Sequence, residues 1–201
     1  MNVSVVIATY GDAYWQELAV TRAMPSVPDD VTVVLSHENT LHDARNEGLR
    51  HVTTEFVVFL DADDELTPDY FEHMAASNAD VRAPSVQYVH DGRRRPPRMP
   101  KVFAHDHDCQ ATCLPDGNWI VIGAVARTEL LRDVGGFRDF SWSEDWDLWL
   151  RCHLAGASIE AVPDAVYVAH VRPDSRNRAP DRAAKNRAHQ AIYNANFPAA
   201  A

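Results

Sequence analysis

Acidic residues crowd the turn that follows an apolar run in "FVVFLDADDELTPDYF", residues 56 to 71. Asp61, Asp63, Asp64 and Glu65 stand almost side by side directly after five apolar residues. Carboxylates at this spacing repel one another and raise one another's pKa, so the cluster costs stability unless a cation or another partner sits there. Carboxylate oxygens are the ligands that hard divalent ions prefer, so the pattern favours a cation site.

A structural alternative is that these acids cap the helix that follows, or form a solvated turn. Thr67 with Pro68 at the first helical position already predicts a helix start there. Asp61 and Asp63 are therefore not needed as caps, and the cation site remains the favoured interpretation.

The acidic turn is positioned by predicted strands, which are apolar runs, and by a predicted helix between them. Val3 to Ala8 and residues 31–36 predict two strands, "HDARNEGLRHV" predicts a helix, and Phe56 to Leu60 predicts a third strand. This alternation predicts a doubly wound α/β unit over the first part of the chain.

Three polar turns fall at the ends of the predicted strands. They are Thr9 to Asp12, Ser36 to Glu38, and Asp61 to Asp64. Ligands of such sheets lie outside the carboxyl ends of the strands. We therefore expect one cleft to collect all three turns.

The second half of the sequence is less regular. Residues 80–103 predict a hairpin with a basic, proline-rich tip, and "WIVIGAVA", residues 119–126, predicts a strand. "RTELLRDVGGF" predicts a short helix ended by Gly135, and "SEDWDLWLRCHLAG" predicts another, capped by Ser143 or Ser141. The sequence from Pro173 onward predicts a polar arm.

Size and composition predict one domain over residues 1–201, because 46% of the residues are hydrophobic and can form a substantial core. No stretch approaches the roughly 20 apolar residues of a membrane span, and a strand pattern begins at the N-terminus. Three cysteines predict no disulfide framework. We expect a soluble, cytoplasmic protein without a membrane span.

Charge is unevenly distributed along a chain whose formal net charge is −10. Residues 92–101 hold five basic and no acidic residues, and residues 172–187 hold six basic and two acidic ones. An acidic protein with two basic segments is a poor general nucleic-acid binder. The segments either bind a polyanionic ligand locally or are solvated loops.

The order of several motifs resembles one family. "ATYGD", "ARNEGL", "FLDADD", "VGGF", "SEDWDLWLR" and "YVAHVRP", between residues 3 and 172, resemble the GT-A type glycosyltransferases, most closely the family-two-like, nucleotide-sugar-dependent ones. The resemblance implies an α/β GT-A fold, a Rossmann-like nucleotide-diphospho-sugar transferase fold with a central, mostly parallel sheet. It also implies a nucleotide-sugar-binding half at about 1–90, an acceptor and catalytic half at about 91–172, and a C-terminal arm at 173–201.

The resemblance implies Mn²⁺ or Mg²⁺ as cofactor, bridging the two phosphates of the donor. Asp63 matches the family's metal ligand, Asp61 matches a residue at the ribose or a metal-bound water, and His170 matches a histidine that completes the site. The alternative for His170 is a core histidine at a strand end.

The donor's nucleotide is expected over the first turn. Ser36, His37 and Glu38 stand where the family usually has an aspartate that reads the base, so the base stays open between UDP and GDP types. The nucleotide-sugar-binding residues implied by the resemblance are Ala8, Thr9, Tyr10, Arg45, Asp61 and Ala62.

The resemblance implies Asp145, with Glu144 beside it, as the general base of an inverting transfer. The alternative is that these acids only favour the helix dipole. Trp142 is expected to stack on an acceptor, whereas Trp146 and Trp149 fit the core.

These observations predict a soluble, metal-dependent glycosyltransferase that moves one sugar to a hydroxyl acceptor. The acceptor is a saccharide, a protein, a metabolite or a hydroxylated DNA base. The alternatives are a nucleotidyltransferase and a non-catalytic nucleotide-sugar-binding module on the same fold. Outside the family pattern, "HDHDCQATC" sets His105, His107, Cys109 and Cys113 close enough for a zinc site, although the segment also fits an ordinary loop.

Overall fold

The structure, a computed structural model, describes residues 1–99, 114–172 and 182–197. The strands are β1 (Val3–Tyr10), β2 (Thr32–Glu38), β3 (Phe56–Asp61), β4 (Glu65–Leu66), β5 (Val81–His90), β6 (Arg93–Arg94), β7 (Val125–Arg127) and β8 (Ile159–Val171). The helices are α1 (Ala13–Leu18), α2 (Leu41–His51), α3 (Tyr70–Ala75), α4 (Thr128–Asp133), α5 (Glu144–Leu154) and α6 (Arg182–Asn196). Single helical turns cover Ala19–Ala23, Met24–Ser26 and Leu114–Asp116.

Strand β1 lies between β2 and β3 and pairs with both in parallel. Its apolar run is buried on both faces, as expected for a central parallel strand. Ala8 stands in register with Ser36 on one side and Asp61 on the other. The carboxyl ends of the three strands therefore meet at one edge, which confirms the α/β prediction for this part of the chain.

The same sheet continues into the second half in the order β2-β1-β3-β7-β5-β8-β4, with β6 paired to β5. The long strands β5 and β8 pair in parallel, whereas short β7 runs antiparallel between β3 and β5. Strand β8 also pairs with β4, directly after the acidic turn. This pairing brings the end of β8 beside the turn at residues 61–64.

Several predicted elements differ from the observed ones. Only the end of the apolar run 119–126 forms a strand, because apolar periodicity does not distinguish a buried strand from a buried irregular segment. Helix α3 begins at Tyr70, two residues after the predicted start at Pro68. The hairpin turns at Asp91 and Gly92, which both have positive φ, so its tip lies before the arginines that were predicted to form it. Gly135, with φ of 86°, follows α4 as predicted.

The described C-terminal residues form helix α6, which packs against α5. Ile192 is buried, and the Asn196 amide donates to an Asp147 oxygen of α5 at 2.9 Å. Residues 182–197, which the sequence placed in a polar arm, thus cover the helix that carries Asp145. Within the residues that the structure describes, no helix is long and apolar enough to cross a bilayer.

Helix α2 approaches β1 and β2 closely at Gly48. A Cβ atom at this position would overlap the side chain of Val6 and lie 3.0 Å from the Ser36 hydroxyl. Val6 is β-branched and fully buried, so it has little freedom to move away. Two positions earlier, the Asn46 side chain donates to and accepts from the backbone of Phe137 at 2.8 Å.

We predict that Gly48→Ala destabilises the fold by about 1–3 kcal/mol, the usual cost of overpacking a core. Alanine by itself favours a helix by about 1 kcal/mol over glycine, so a destabilising sign reports the clash with Val6. Urea denaturation measures the change, with Arg50→Ala on the exposed side of α2 as control. Unchanged or increased stability of Gly48→Ala would show that the helix can shift away from β1.

Candidate active site

Asp64 fixes the acidic turn to β8. Its carboxylate is buried and accepts hydrogen bonds from the Tyr167 hydroxyl at 2.8 Å and from the His170 backbone N–H at 2.7 Å. Burial raises the pKa of Asp64 well above its usual value, and the charges of Asp63 and Asp61 raise it further. Asp64 therefore has a structural role, which the sequence pattern did not separate from its neighbours.

Asp63 is half-buried and paired with cations of this chain. Its Oδ2 lies 3.0 Å from Nε of Arg172, and its backbone oxygen accepts from Arg22 at 3.1 Å. The Arg172 guanidinium lies over the ring of Trp15, 4.4 Å from its centre. Burial, followed by the charge of Asp61, raises the pKa of Asp63 despite these arginines.

His170 lies at the end of β8 beside the turn, as predicted, but its partner is Glu65. Its Nε2 is 3.1 Å from a Glu65 oxygen, which also pairs with Arg94 at 3.2 Å. Across residues 1–99, 114–172 and 182–197, no three His, Cys, Asp or Glu side chains converge as a metal site. The predicted zinc ligands His105, His107, Cys109 and Cys113 lie outside the described residues.

A buried arginine joins the acidic turn to helix α5. Arg45 of α2 donates through Nη2 to Asp61 at 2.7 Å and through Nη1 to Glu144 at 2.8 Å, with its guanidinium over Phe137. Only 2% of Arg45 is exposed. Burial alone would lower its pKa, but the charges of Asp61 and Glu144 outweigh burial and raise it. Arg45 therefore stays charged, and these contacts leave it less free for a nucleotide than the sequence implied.

Asp145 lies beside this bridge at the start of α5. Burial, followed by the charge of Glu144, raises its pKa to about 6, although Arg45 lowers it. Its Oδ1 accepts from the Trp146 backbone N–H at 2.8 Å, and Asn118 also hydrogen-bonds to it. The carboxylate is thus ionised at neutral pH and retains appreciable basicity.

The residue before this acid pair has an unusual conformation. Ser143 occupies the N-cap position, as predicted, but its φ of 56° and ψ of 36° place it in the left-handed region. Its hydroxyl makes no capping bond and instead lies 3.0 Å from Nε2 of His189 on α6. Helix α6 therefore supports the segment that carries Glu144 and Asp145.

A cavity of about 580 Å³ opens between these elements. It brings together the predicted residues Arg45, Asp61, Trp142, Glu144 and Asp145. Trp146 and Trp149 are buried in the core, as expected. Asp64 and Ser143 also line the cavity. The residues that sequence reasoning missed in its wall are Val86, Tyr88, Arg98, Asn118, Trp119, Ile120, Val121, Ile122, Tyr167, Ala169, Lys185 and His189.

The predicted nucleotide residues of β1 lie at the sheet edge but outside the wall of this cavity. The Thr9 hydroxyl is 3.2 Å from the Ser36 carbonyl oxygen and 3.0 Å from Nδ1 of His37, so β1 and β2 are joined at their ends. Tyr10 is half-buried, and Ala62 is buried in the acidic turn.

Arg172 and Tyr167 are the nearest partners of the acidic turn that sequence reasoning did not assign. His170 and Arg172 are two residues apart, and a period of two places side chains on the same face of a strand. That period could have indicated that Arg172, like His170, reaches the acidic turn. No comparable local signal pointed to Tyr167.

We predict that Arg45→Lys lowers the free energy of unfolding by about 3 kcal/mol, because one ammonium group cannot span both carboxylates and leaves a buried charge uncompensated. Chemical denaturation measures the loss. Arg50→Lys, an exposed arginine on the same helix, is the matched control and should change stability by less than about 0.5 kcal/mol. Equal effects of the two substitutions would contradict a structural role for the bridge.

The chain is similar in sequence and in fold to known glycosyltransferases. A family model described as "Glycosyltransferase like family 2" matches residues 1–191. The chain is 24% identical to the amylovoran biosynthesis glycosyltransferase AmsE of Erwinia amylovora, over 89% of this chain and 68% of that protein. It is 32% identical to the pre-mycofactocin glycosyltransferase of Mycobacterium tuberculosis, over 63% of this chain but 29% of that protein.

Solved structures with the same fold include S. aureus TarS residues 1–349 in complex with UDP-GlcNAc. That structure has a TM-score of 0.66 and 21% sequence identity, covering 89% of this chain and 61% of the TarS chain. This similarity confirms the GT-A fold prediction. Together with the family match over residues 1–191, it shows that this chain belongs to the family-2-like glycosyltransferases.

Proposed function

We propose that this chain transfers one sugar from a nucleotide-diphosphate donor to a hydroxyl acceptor, with Asp145 as general base. The observation that carries the proposal is the position of Asp145 in one cavity with Asp61, with its pKa raised to about 6. A base with a pKa near the working pH combines ionisation with useful proton affinity.

The donor's nucleotide fits the edge where β1, β2 and β3 end. Ala8, Thr9 and Tyr10 lie there, in register with Ser36 to Glu38 of β2. Open α/β sheets bind ligands at this edge. TarS structures contain UDP-GlcNAc or UDP, which supports a UDP-type donor here, with a GDP type as the other outcome of a binding test.

The acidic turn fits a cation that is shared with the donor's phosphates. Asp61 uses one oxygen for Arg45, and among the described residues its Oδ2 accepts no hydrogen bond. Burial and the charge of Asp61 raise the pKa of Asp63 despite its arginine neighbours, and a cation beside the turn would offset this repulsion. Two carboxylates offer too few ligands for a closed site, so a Mn²⁺ or Mg²⁺ ion held by Asp61 and Asp63 would need phosphate oxygens as well.

When bound, such an ion would neutralise the charge that grows on the departing diphosphate. The residues of this chain act on the acceptor. Asp145 accepts the acceptor's hydroxyl proton while the hydroxyl oxygen forms a bond to the anomeric carbon. The bond from that carbon to the diphosphate oxygen breaks, and the diphosphate leaves with the electron pair. This single displacement inverts the anomeric configuration.

The arrangement assigns the base role to Asp145 in preference to Glu144. Glu144 is 5% exposed, and its Oε1 accepts a hydrogen bond from the guanidinium of Arg45 at 2.8 Å. Its negative charge helps to raise the pKa of Asp145, whereas Arg45 limits the increase. Glu144 thus tunes the base, and Trp142 in the cavity wall offers an aromatic face to the acceptor.

We predict that Asp145→Asn lowers the turnover number by about 10²- to 10⁴-fold, because the amide keeps the shape but cannot accept a proton. Donor binding should persist, so the loss should appear in the chemical step. NMR of the product's anomeric proton should show inversion. The exposed Asp133→Asn is the matched control with normal turnover. Near-normal turnover of Asp145→Asn would support helix stabilisation as its only role.

The pH dependence separates this loss from misfolding. Turnover of the wild type should fall as pH decreases through about 6, where Asp145 becomes protonated. A carboxyl group whose pKa is raised by folding destabilises the fold above that pKa, and the cost disappears as pH falls. Asp145→Asn should therefore be at least as stable as the wild type at pH 8, and relatively less stable at pH 4. A variant that is already unfolded at pH 8 would contradict this sign.

We predict that UDP raises the melting temperature of the wild type with Mn²⁺ or Mg²⁺ and loses this effect in a chelator. Asp63→Asn should abolish the increase, because phosphates approach an acidic turn poorly without a cation, and only a ligand that binds the folded state stabilises it. Asp133→Asn serves again as control. The same UDP shift in a chelator, or in Asp63→Asn, would show that Arg172 and Arg22 suffice at this turn.

A further inference from the structure

Two cationic side chains in the cavity wall are not used by the chemistry proposed above. Arg98 lies on the returning limb of the hairpin, where its backbone pairs with Val86 and its guanidinium lies over Tyr88, 5.4 Å from the ring centre. Lys185 lies on α6. Among the residues that the structure describes, neither Arg98 nor Lys185 forms an ion pair with an acid, whereas Arg45 in the same cavity is held by two carboxylates.

Lys185 lines the same cavity as Asp145. It precedes His189 by one helical turn, and His189 contacts the Ser143 hydroxyl at 3.0 Å and the ring of Trp146 at 5.1 Å between centres. Burial, followed by the charge of Lys185, lowers the pKa of His189. His189 is therefore neutral at neutral pH, and Lys185 supplies the positive charge next to the segment that carries Asp145.

These cations are separate from Asp63 and its arginine partners at the acidic turn. Asp63 pairs with Arg172 and Arg22 at the acidic turn, and none of these three residues lines the cavity. Lys185 instead belongs to the helix that packs on α5. Arg98 and Lys185 thus line the cavity that an acceptor must enter if its hydroxyl is to reach Asp145.

We propose that the acceptor carries an anionic group, a phosphate or a carboxylate, which Arg98 and Lys185 bind while its hydroxyl contacts Asp145. The inference deepens the proposed function and rests on it. Asp61, Glu144 and Asp145 would otherwise repel such an acceptor from the cavity. Arginine and lysine offer charge-assisted hydrogen bonds to either anion. The rings of Tyr88 and Trp142 in the same wall offer aromatic surface to the apolar faces of the acceptor.

Three compounds with one sugar ring but different charge test this proposal: glucose, glucose 6-phosphate and glucuronate. Calorimetric titration into the full chain, with UDP and Mg²⁺ present to occupy the donor site, measures their affinities. We expect glucose 6-phosphate, glucuronate or both to bind at least about tenfold more tightly than glucose, as a charge-assisted hydrogen bond allows. Binding of one anion but not the other identifies phosphate or carboxylate as the group recognised.

The double variant R98Q/K185Q should lower the affinity for the bound anion by at least about tenfold. The matched control R50Q/R93Q removes two exposed arginines outside the cavity wall and should leave that affinity unchanged. Increasing salt should weaken anion binding to the wild type more than glucose binding. Melting curves show whether each variant is folded.

Anion binding that is absent in the wild type, or equal in R98Q/K185Q and the wild type, would overturn the proposal. An equal loss in R50Q/R93Q would overturn it as well, since the effect would then report net charge. Failure of the proposed function is recognised separately, because the wild type would then be stabilised by neither UDP nor GDP with Mg²⁺. The comparison between the two double variants still decides whether Arg98 and Lys185 bind the anion.

Discussion

The two hydrogen-bonded ion pairs of Arg45 hold the candidate site together. They connect the end of β3 to the start of α5, through a side chain that reaches the two acids from α2. A buried charge is tolerated only when its partners are well placed, so Asp61 and Glu144 must stay near their observed positions. The planar, permanently charged guanidinium suits this task because it donates in two directions at once. The spacing of Asp61 and Glu144 in the cavity wall thus depends on one arginine.

Local neutralisation explains how the fold tolerates three adjacent aspartates. Asp61 pairs with Arg45, Asp63 with Arg172, and Asp64 accepts two hydrogen bonds from β8. Each contact reduces the repulsion that the sequence alone suggests. Burial still raises the pKa of Asp63 and Asp64, so the compensation is incomplete.

The sequence predicted elements whose signals are local. Buried apolar runs located β1 and β3, and the turns after them indicated one sheet edge. It did not predict that Arg45 contacts Glu144, 99 positions away, because such a contact depends on how the chain folds back. The apolar segment 119–126 predicts a strand over its whole length, but only its end pairs in the sheet. The rest is apolar because it is buried, and burial without strand pairing leaves the same sequence pattern. The cations Arg98 and Lys185 also come together only through tertiary packing.

Helix α5 shows why residue type alone does not identify a base. Asp145 and Asp147 are two residues apart in "SEDWD", and neither residue type nor local sequence tells which of them is a base. Burial acts to raise the pKa of Asp147, but hydrogen bonds from Arg138 and Asn196 and the charge of Arg151 lower it overall. For Asp145, burial and then the charge of Glu144 outweigh the opposing charge of Arg45, and the pKa rises to about 6. Residues two apart on a helix face different directions, so one acid anchors α5 to its neighbours while the other faces the cavity as the candidate base.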